Sequence, residues 1–160
     1  MLVPKNLTQP PRDATLESLA TLIVESHLRV VGRPLLAAPT SQPDLWDALW
    51  SAPQAVVAHD TREDPVFRYG NRRALELFEL DFAAFTALPS RYSAEPLARE
   101  ERAALLERVT RHGFIDDYAG IRISSTGRRF RIVNATVWNL VDAEGIYRGQ
   151  AATFSEWEPA

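Results

Sequence analysis

The run from Gly113 to Trp157 most restricts what this chain can fold into. It reads GFIDDYAGIRISS, Thr126-Gly127, RRFRIVNATVWNLV, Asp142-Ala143-Glu144-Gly145 and IYRGQAATFSEW. Three segments rich in β-branched and aromatic residues, split by two short turn signals, predict a three-stranded antiparallel meander. Thr126-Gly127 suits a two-residue hairpin loop, and Asp-x-x-Gly suits a type I turn followed by a left-handed glycine.

A two-residue loop pairs Ile123 with Phe130, Ala119 with Asn134, Asp117 with Thr136 and Ile115 with Trp138. A three-residue loop over 143–145 sets Gln150 opposite Trp138 and Phe154 opposite Asn134. Alternation along each strand then puts all of these on one face. That face is apolar at its ends and polar in the middle, where Asp117, Asn134, Thr136 and Gln150 converge beside Trp138. Such groups must bond one another, water or a ligand, since an unmet buried polar group costs about 1–3 kcal/mol. On the opposite face Arg122 and Arg131 sit directly across from each other, an unfavourable pair unless acids or an anion lie nearby. A slip of one residue inverts the whole assignment.

The 160 residues suffice for one domain with a sizeable core. A net charge of −3 argues against a nucleic-acid surface, which carries a basic excess. With no cysteine, disulfides, zinc–thiolate sites, thiol nucleophiles and cysteinyl-flavin photochemistry are excluded. No apolar run is long enough to span a membrane, and the first residues lack a hydrophobic signal core. Cytoplasm is the expected compartment.

Upstream, residues 1–12 hold three prolines and are expected to form a flexible arm. Residues 13–53 read as a helical extension. Asp13 or Thr15 caps a helix to Val31 whose stripe of Leu16, Leu19, Ala20, Ile23, His27 and Val30 must cover the sheet's outer face or a second subunit. His27 reads as an interfacial histidine. After a Pro-rich connector over 33–43, Ser41 and Pro43 introduce a short helix with Trp46 and Trp50, a core plug or, less simply, a partner surface.

Residues 54–157 read as the sheet domain. QAVVAHD and VFRYGN are short strands, Asn71 and Asp81 cap short helices, and 90–94 form a loop. Glu95-Pro96 opens a helix to His112 with Ala98, Arg102, Leu105 and Val109 inward and Glu95–Arg99 and Glu107–Arg111 pairs. The order predicts an α+β fold: five antiparallel strands, two from the front and three from the back, with helices over one face. This order resembles a PAS domain, which encloses a small cavity between sheet and helices.

DPVFRYGNRRALELFE (64–79), LPSRYSAEP (88–96), GIRISSTGRRFRI (120–132), TVWNL (136–140) and GQAATF (149–154) go further. Together they resemble the stand-alone bacterial form of the MEKHLA domain over about residues 15–157. That family is PAS-related and also stands at the C-terminus of plant class III homeodomain-leucine zipper regulators. The resemblance implies a PAS-like fold and a sensory or regulatory role, and it brings no settled ligand or reaction.

Metal-ligand spacing is absent, since His27, His59 and His112 have no companion at i+3 or i+4. Haem needs a single axial histidine, but neither His59 nor His112 has supporting sequence. The cofactor therefore stays unknown. Ser124 to Arg128 is an anion-binding candidate, and more simply a hairpin turn with polar shoulders. Asp116 and Asp117 point to opposite faces, so Asp117 alone would serve as a general base. Arg91, Tyr69 and Asn71 border the expected cavity mouth, with capping and loop packing as their plainer roles.

The expected function is a sensory or regulatory module, not an enzyme. It would hold a small molecule against Asp117, Asn134, Thr136, Trp138 and Gln150, with Tyr69, Asn71 and Arg91 at the mouth. It would dimerise through its N-terminal helix, with neither nucleic acid nor membrane as a partner. A ligand-free homodimerisation module is the alternative, and an enzyme with Asp117 as base a third.

Overall fold

The computed structural model describes residues 7–37, 44–94 and 96–160, without the side chains of 96–98. The first half of the arm, the Ser41 and Pro43 helix entry, the Glu95–Arg99 pair and Ala98 lie outside the described residues. Helix α1 (Ala14–Val31) starts at Asp13, whose carboxylate accepts from Leu16 N, and ends at Gly32 in the left-handed conformation. Next come α2 (Leu45–Trp50), β1 (Ala55–His59), β2 (Phe67–Gly70), α3 (Arg72–Phe78) and α4 (Phe82–Phe85). The expected loop at 90–94 holds a 3-10 turn (Ser90–Ser93), followed by α5 (Pro96–His112). The meander is β3 (Phe114–Ile123), β4 (Arg129–Val141) and β5 (Tyr147–Phe154).

All strands pair antiparallel in the order β2-β1-β5-β4-β3, so the two front strands join the three rear ones as the sequence predicts. A sixth strand, β6 (Glu156–Pro159), was not expected. It pairs with the first half of β4 while β5 pairs with the second half.

Helices cover both faces. On the inner face, Phe67, Phe130, Ile132 and Phe154 pack with Leu75, Phe78 and Phe85 from α3 and α4, and Val137 packs with Leu105 and Val109 from α5. On the outer face, Leu19, Ala20 and Ile23 of α1 and Trp46 and Leu49 of α2 cover Val56, Ala58, Tyr69, Trp138 and Leu140. Of the two options for the α1 stripe, the structure takes the sheet. Each fully buried aliphatic there contributes about 1.5–3 kcal/mol. His27 is interfacial: its ring meets Trp138 edge-on at 4.8 Å, and Nδ1 bonds Arg33 O at 2.7 Å.

The predicted registers are off by one. The first hairpin has a three-residue loop, with Ser124 N donating to Arg128 O and Gly127 at φ 87°, so Arg122 faces Phe130 rather than Arg131. In the second, Gln150 pairs with Asn139, and Trp138 with Ala151. Bulges then change which face each side chain takes. β4 holds Asn134 at φ 51°, and the pairing with β3 skips from Gly120↔Ile132 to Tyr118↔Ala135. An extra residue in one strand reverses the alternation beyond it. Ile132 therefore faces inward, whereas Thr136 and Trp138 face outward.

Candidate functional site

A cavity of about 60 Å³ lies between the inner face of the sheet and α5. Each face of β1 has its own role: Val56 and Ala58 meet α1 and α2, while Val57 and His59 line the cavity. Its wall is apolar on the side of Phe67, Phe78, Leu105, Ile132, Val137 and Phe154. Val57, Ala58, Leu106, Ala151 and Ala152 extend that apolar wall, and His59, Ser93, Arg102, Tyr118, Arg122 and Gln150 supply its polar groups.

Two of these polar groups are buried guanidiniums. Arg102, on the inward stripe of α5, is 8% exposed, and Arg122 on β3 is 9% exposed. Arg102 Nη2 donates to Ser90 Oγ, and Arg122 donates from Nη1 to its neighbour's carbonyl, Ile121 O, at 3.0 Å and from Nη2 to Tyr118 Oη at 2.8 Å. Among the described residues, no carboxylate forms an ion pair with either. Burial, and then the charge of Arg122, push Arg102 down to about 10, so it remains a cation at neutral pH. Gly120 makes room for this arrangement: a Cβ there would stand 2.2 Å from Tyr118 Oη.

His59 faces Gln150 across the β1–β5 pair. Its Nδ1 lies 2.9 Å from Asp60 O, and since a carbonyl only accepts, Nδ1 carries the proton. Burial, foremost, holds the ring below its ordinary value and hence neutral. Nε2 is then an acceptor, buried and without a hydrogen bond of ordinary geometry, although the Gln150 side chain lies near enough to hold the ring up a little against burial. Gln150 Nε2 reaches across to Leu106 O and Thr110 Oγ1 of α5 and to Asn139 Oδ1 of β4, at 3.0–3.1 Å.

Of the eight residues predicted for a site, only Gln150 lines this cavity, and the expected convergence does not form. Asp117 is exposed and borders a shallow groove with Glu101, Leu105 and Arg108. Asn134 is exposed, and its amide donates to Glu156. Thr136 and Trp138 are on the outer face, where Trp138 Nε1 donates to Ser26 Oγ at 3.1 Å. Tyr69 is turned outward because β2 carries an extra residue at Arg68 between the His59↔Phe67 and Ala58↔Tyr69 pairs. Burial raises its hydroxyl pKa.

Asn71 is fully buried and joins three elements. Its Oδ1 accepts from Val56 N and Ala74 N, and its Nδ2 donates to Leu49 O and Gln54 O. Arg91 pairs with Asp64 at 3.0 Å and stacks on Tyr92 outside the cavity. The hydroxyls of the Ser124–Arg128 turn are occupied: Ser124 and Thr126 donate to the Glu79 carboxylate. Burial alone would raise Glu79, but those two bonds and Arg128 outweigh it and hold the carboxyl below its ordinary value.

Sequence reasoning missed His59, Arg102 and Arg122 as one group. The available signals were an arginine on the inward stripe of a helix and an asparagine inside a strand, which tolerates the left-handed conformation of a bulge. Among the described residues no group of three or more His, Asp or Glu is placed to hold a metal ion. No described helix is long and apolar enough to cross a membrane.

Solved structures of similar fold include a PAS domain from Colwellia psychrerythraea, 13% identical, with a TM-score of 0.58 over 71% of this chain and 92% of that one. The light-state dimer of the fungal blue-light photoreceptor Vivid is 13% identical, with a TM-score of 0.56 over 96% of this chain and 100% of that one. At such identities the likeness establishes the PAS/LOV-like fold. The homeobox-leucine zipper protein ATHB-9 of Arabidopsis thaliana is 25% identical over 154 residues, covering 93% of this chain and 18% of that protein. The chain spans less than a fifth of the length of the curated plant relatives it matches. The MEKHLA domain model matches residues 17–159, nearly the whole chain, so this chain belongs to the MEKHLA domain family.

Proposed function

We propose that this chain is a non-enzymatic, cytoplasmic sensory module that binds a small molecule in the cavity between the sheet and α5. The observation that carries it is the buried Nε2 of His59, without a hydrogen bond in a cavity that also holds two guanidiniums with no carboxylate ion-pair partner among the described residues. A buried polar group without a partner costs free energy that a ligand or water recovers. Gln150 lines the same cavity and bonds α5, so occupancy would bias how α5 sits on the sheet. In this reading residues 13–53 serve as an extension, of which α1 and α2 cover the outer face.

Signalling would pass through a homodimer or another partner, and a solved structure of similar fold is a light-state dimer of Vivid. The α1 stripe is already buried, so that contact would use other surfaces, such as exposed Leu28, Tyr92, Ile146 and Tyr147. A cysteinyl-flavin adduct is not open to a chain without cysteine.

Native mass spectrometry of the purified protein, followed by hydrogen exchange with and without the captured molecule, tests the proposal. The expected result is a bound small molecule whose removal raises exchange in α5. A mass equal to the bare chain under every growth condition, with α5 indifferent to added metabolite pools, would sink it. Sedimentation across a concentration series tests the dimer: a strict monomer with and without ligand removes it.

A further inference from the structure

The proposal above leaves the ligand's chemistry open, and the cavity wall restricts it. Resting on that reading, we infer that the ligand is a small anion, a short hydroxylated carboxylate or a phosphate, gripped by Arg102 and Arg122 and donating a hydrogen bond to His59 Nε2.

Three observations converge on one cavity. First, both guanidiniums are buried, and neither has a carboxylate partner among the described residues. Isolated buried charge is costly, and buried cations are normally paired with acids. Here two like charges share one wall, and the charge of Arg122 is felt at Arg102 more strongly than the opposing influence of Tyr118 or of Asp64. An anion between them removes both penalties at once, and guanidinium forks match carboxylate and phosphate geometry. Second, the neutral His59 ring presents an acceptor without a hydrogen bond of ordinary geometry. A bare carboxylate cannot fill it, whereas a hydroxyl can. His59 also lies within reach of the Arg102 charge, so both demands fall on one molecule. Third, size limits the candidate. At about 10–15 Å³ per water, 60 Å³ holds about four to six waters, the bulk of a molecule with only a few heavy atoms.

The probes are lactate, propanoate, lactamide and inorganic phosphate, added at matched ionic strength to the full chain after exhaustive dialysis. Thermal unfolding and titration calorimetry read the binding. Lactate carries both charge and donor, propanoate lacks the donor, and lactamide lacks the charge. Lactate or phosphate should raise the unfolding temperature, while propanoate and lactamide each bind about tenfold or more weakly, the loss of one charge-assisted or buried hydrogen bond. A response to phosphate alone supports the anion and identifies its source.

Arg102→Met and Arg122→Met should each abolish the response, with ligand-free unfolding at or above the parent temperature serving as the check on folding. His59→Leu should make lactate and propanoate equal while retaining the preference over lactamide. Lactamide binding as well as lactate overturns the inference, as does a full response in Arg102→Met. No response to any of the four also overturns it. A neutral molecule captured by the chain in native mass spectrometry would then leave the sensory reading standing and this one refuted.

Discussion

Asn71 shows how one side chain can hold several elements in register. Its four bonds tie β1, α2, the chain leading into β1 and the first turn of α3, with Asn71 itself at zero exposure. Asn71→Ala removes a helix cap and leaves buried backbone groups unpaired, so a loss of about 2–4 kcal/mol is expected in urea unfolding. Gly120→Ala acts differently. The new Cβ drives Tyr118 off the position where it accepts from Arg122. A cost of about 1–3 kcal/mol is expected from the overpacking, and anion affinity should fall with it. Calorimetry on the folded variant separates the two effects.

At the scale of elements, the type and order of the helices and of five of the six strands were legible, because each carries its own period and punctuation. Asp13, Asn71 and Asp81 all cap where the sequence places them. Facing was less legible. Three irregularities, the three-residue turn closed by Gly127 and the bulges at Asn134 and Arg68, decide which side chains enter the cavity. Each adds one residue to a strand or to the turn between two strands, and a period of two converts that into a change of face. The outer layer gives a direct test. Ile23 is fully buried between α1 and the sheet, so Ile23→Ala should cost about 2–5 kcal/mol and loosen α1 in hydrogen exchange. Unchanged protection of α1 would show that the helix does not depend on this face.

For the molecule as a whole, pH dependence follows from its buried histidines. Burial is the main cause that lowers both His27 and His59 in the fold, and the protonated form of His59 would also face Arg102. Unfolded, both regain an ordinary value of about 6.5. The unfolded chain therefore binds more protons below that pH, and stability is full above about 6.5 and lost as pH falls toward the lowered native values. Urea midpoints at neutral and mildly acidic pH should show this fall, and His59→Leu should flatten it. A midpoint that rises on acidification would contradict the assignment of neutral rings.

The sequence alone determined the five-strand path, the helices between its halves and the apolar stripe of α1, since these rest on local periodicity, capping and turn chemistry; the family came from the resemblance of several segments taken together. Tertiary structure decided the site. Whether Arg122 meets Arg131 or shares a cavity with Arg102 depends on one extra residue in a hairpin loop. Whether Trp138 touches a ligand or Ser26 depends on one left-handed asparagine. Local preference sets what each segment becomes, but which of two nearly equivalent faces it presents is settled only when sheet and helices pack together.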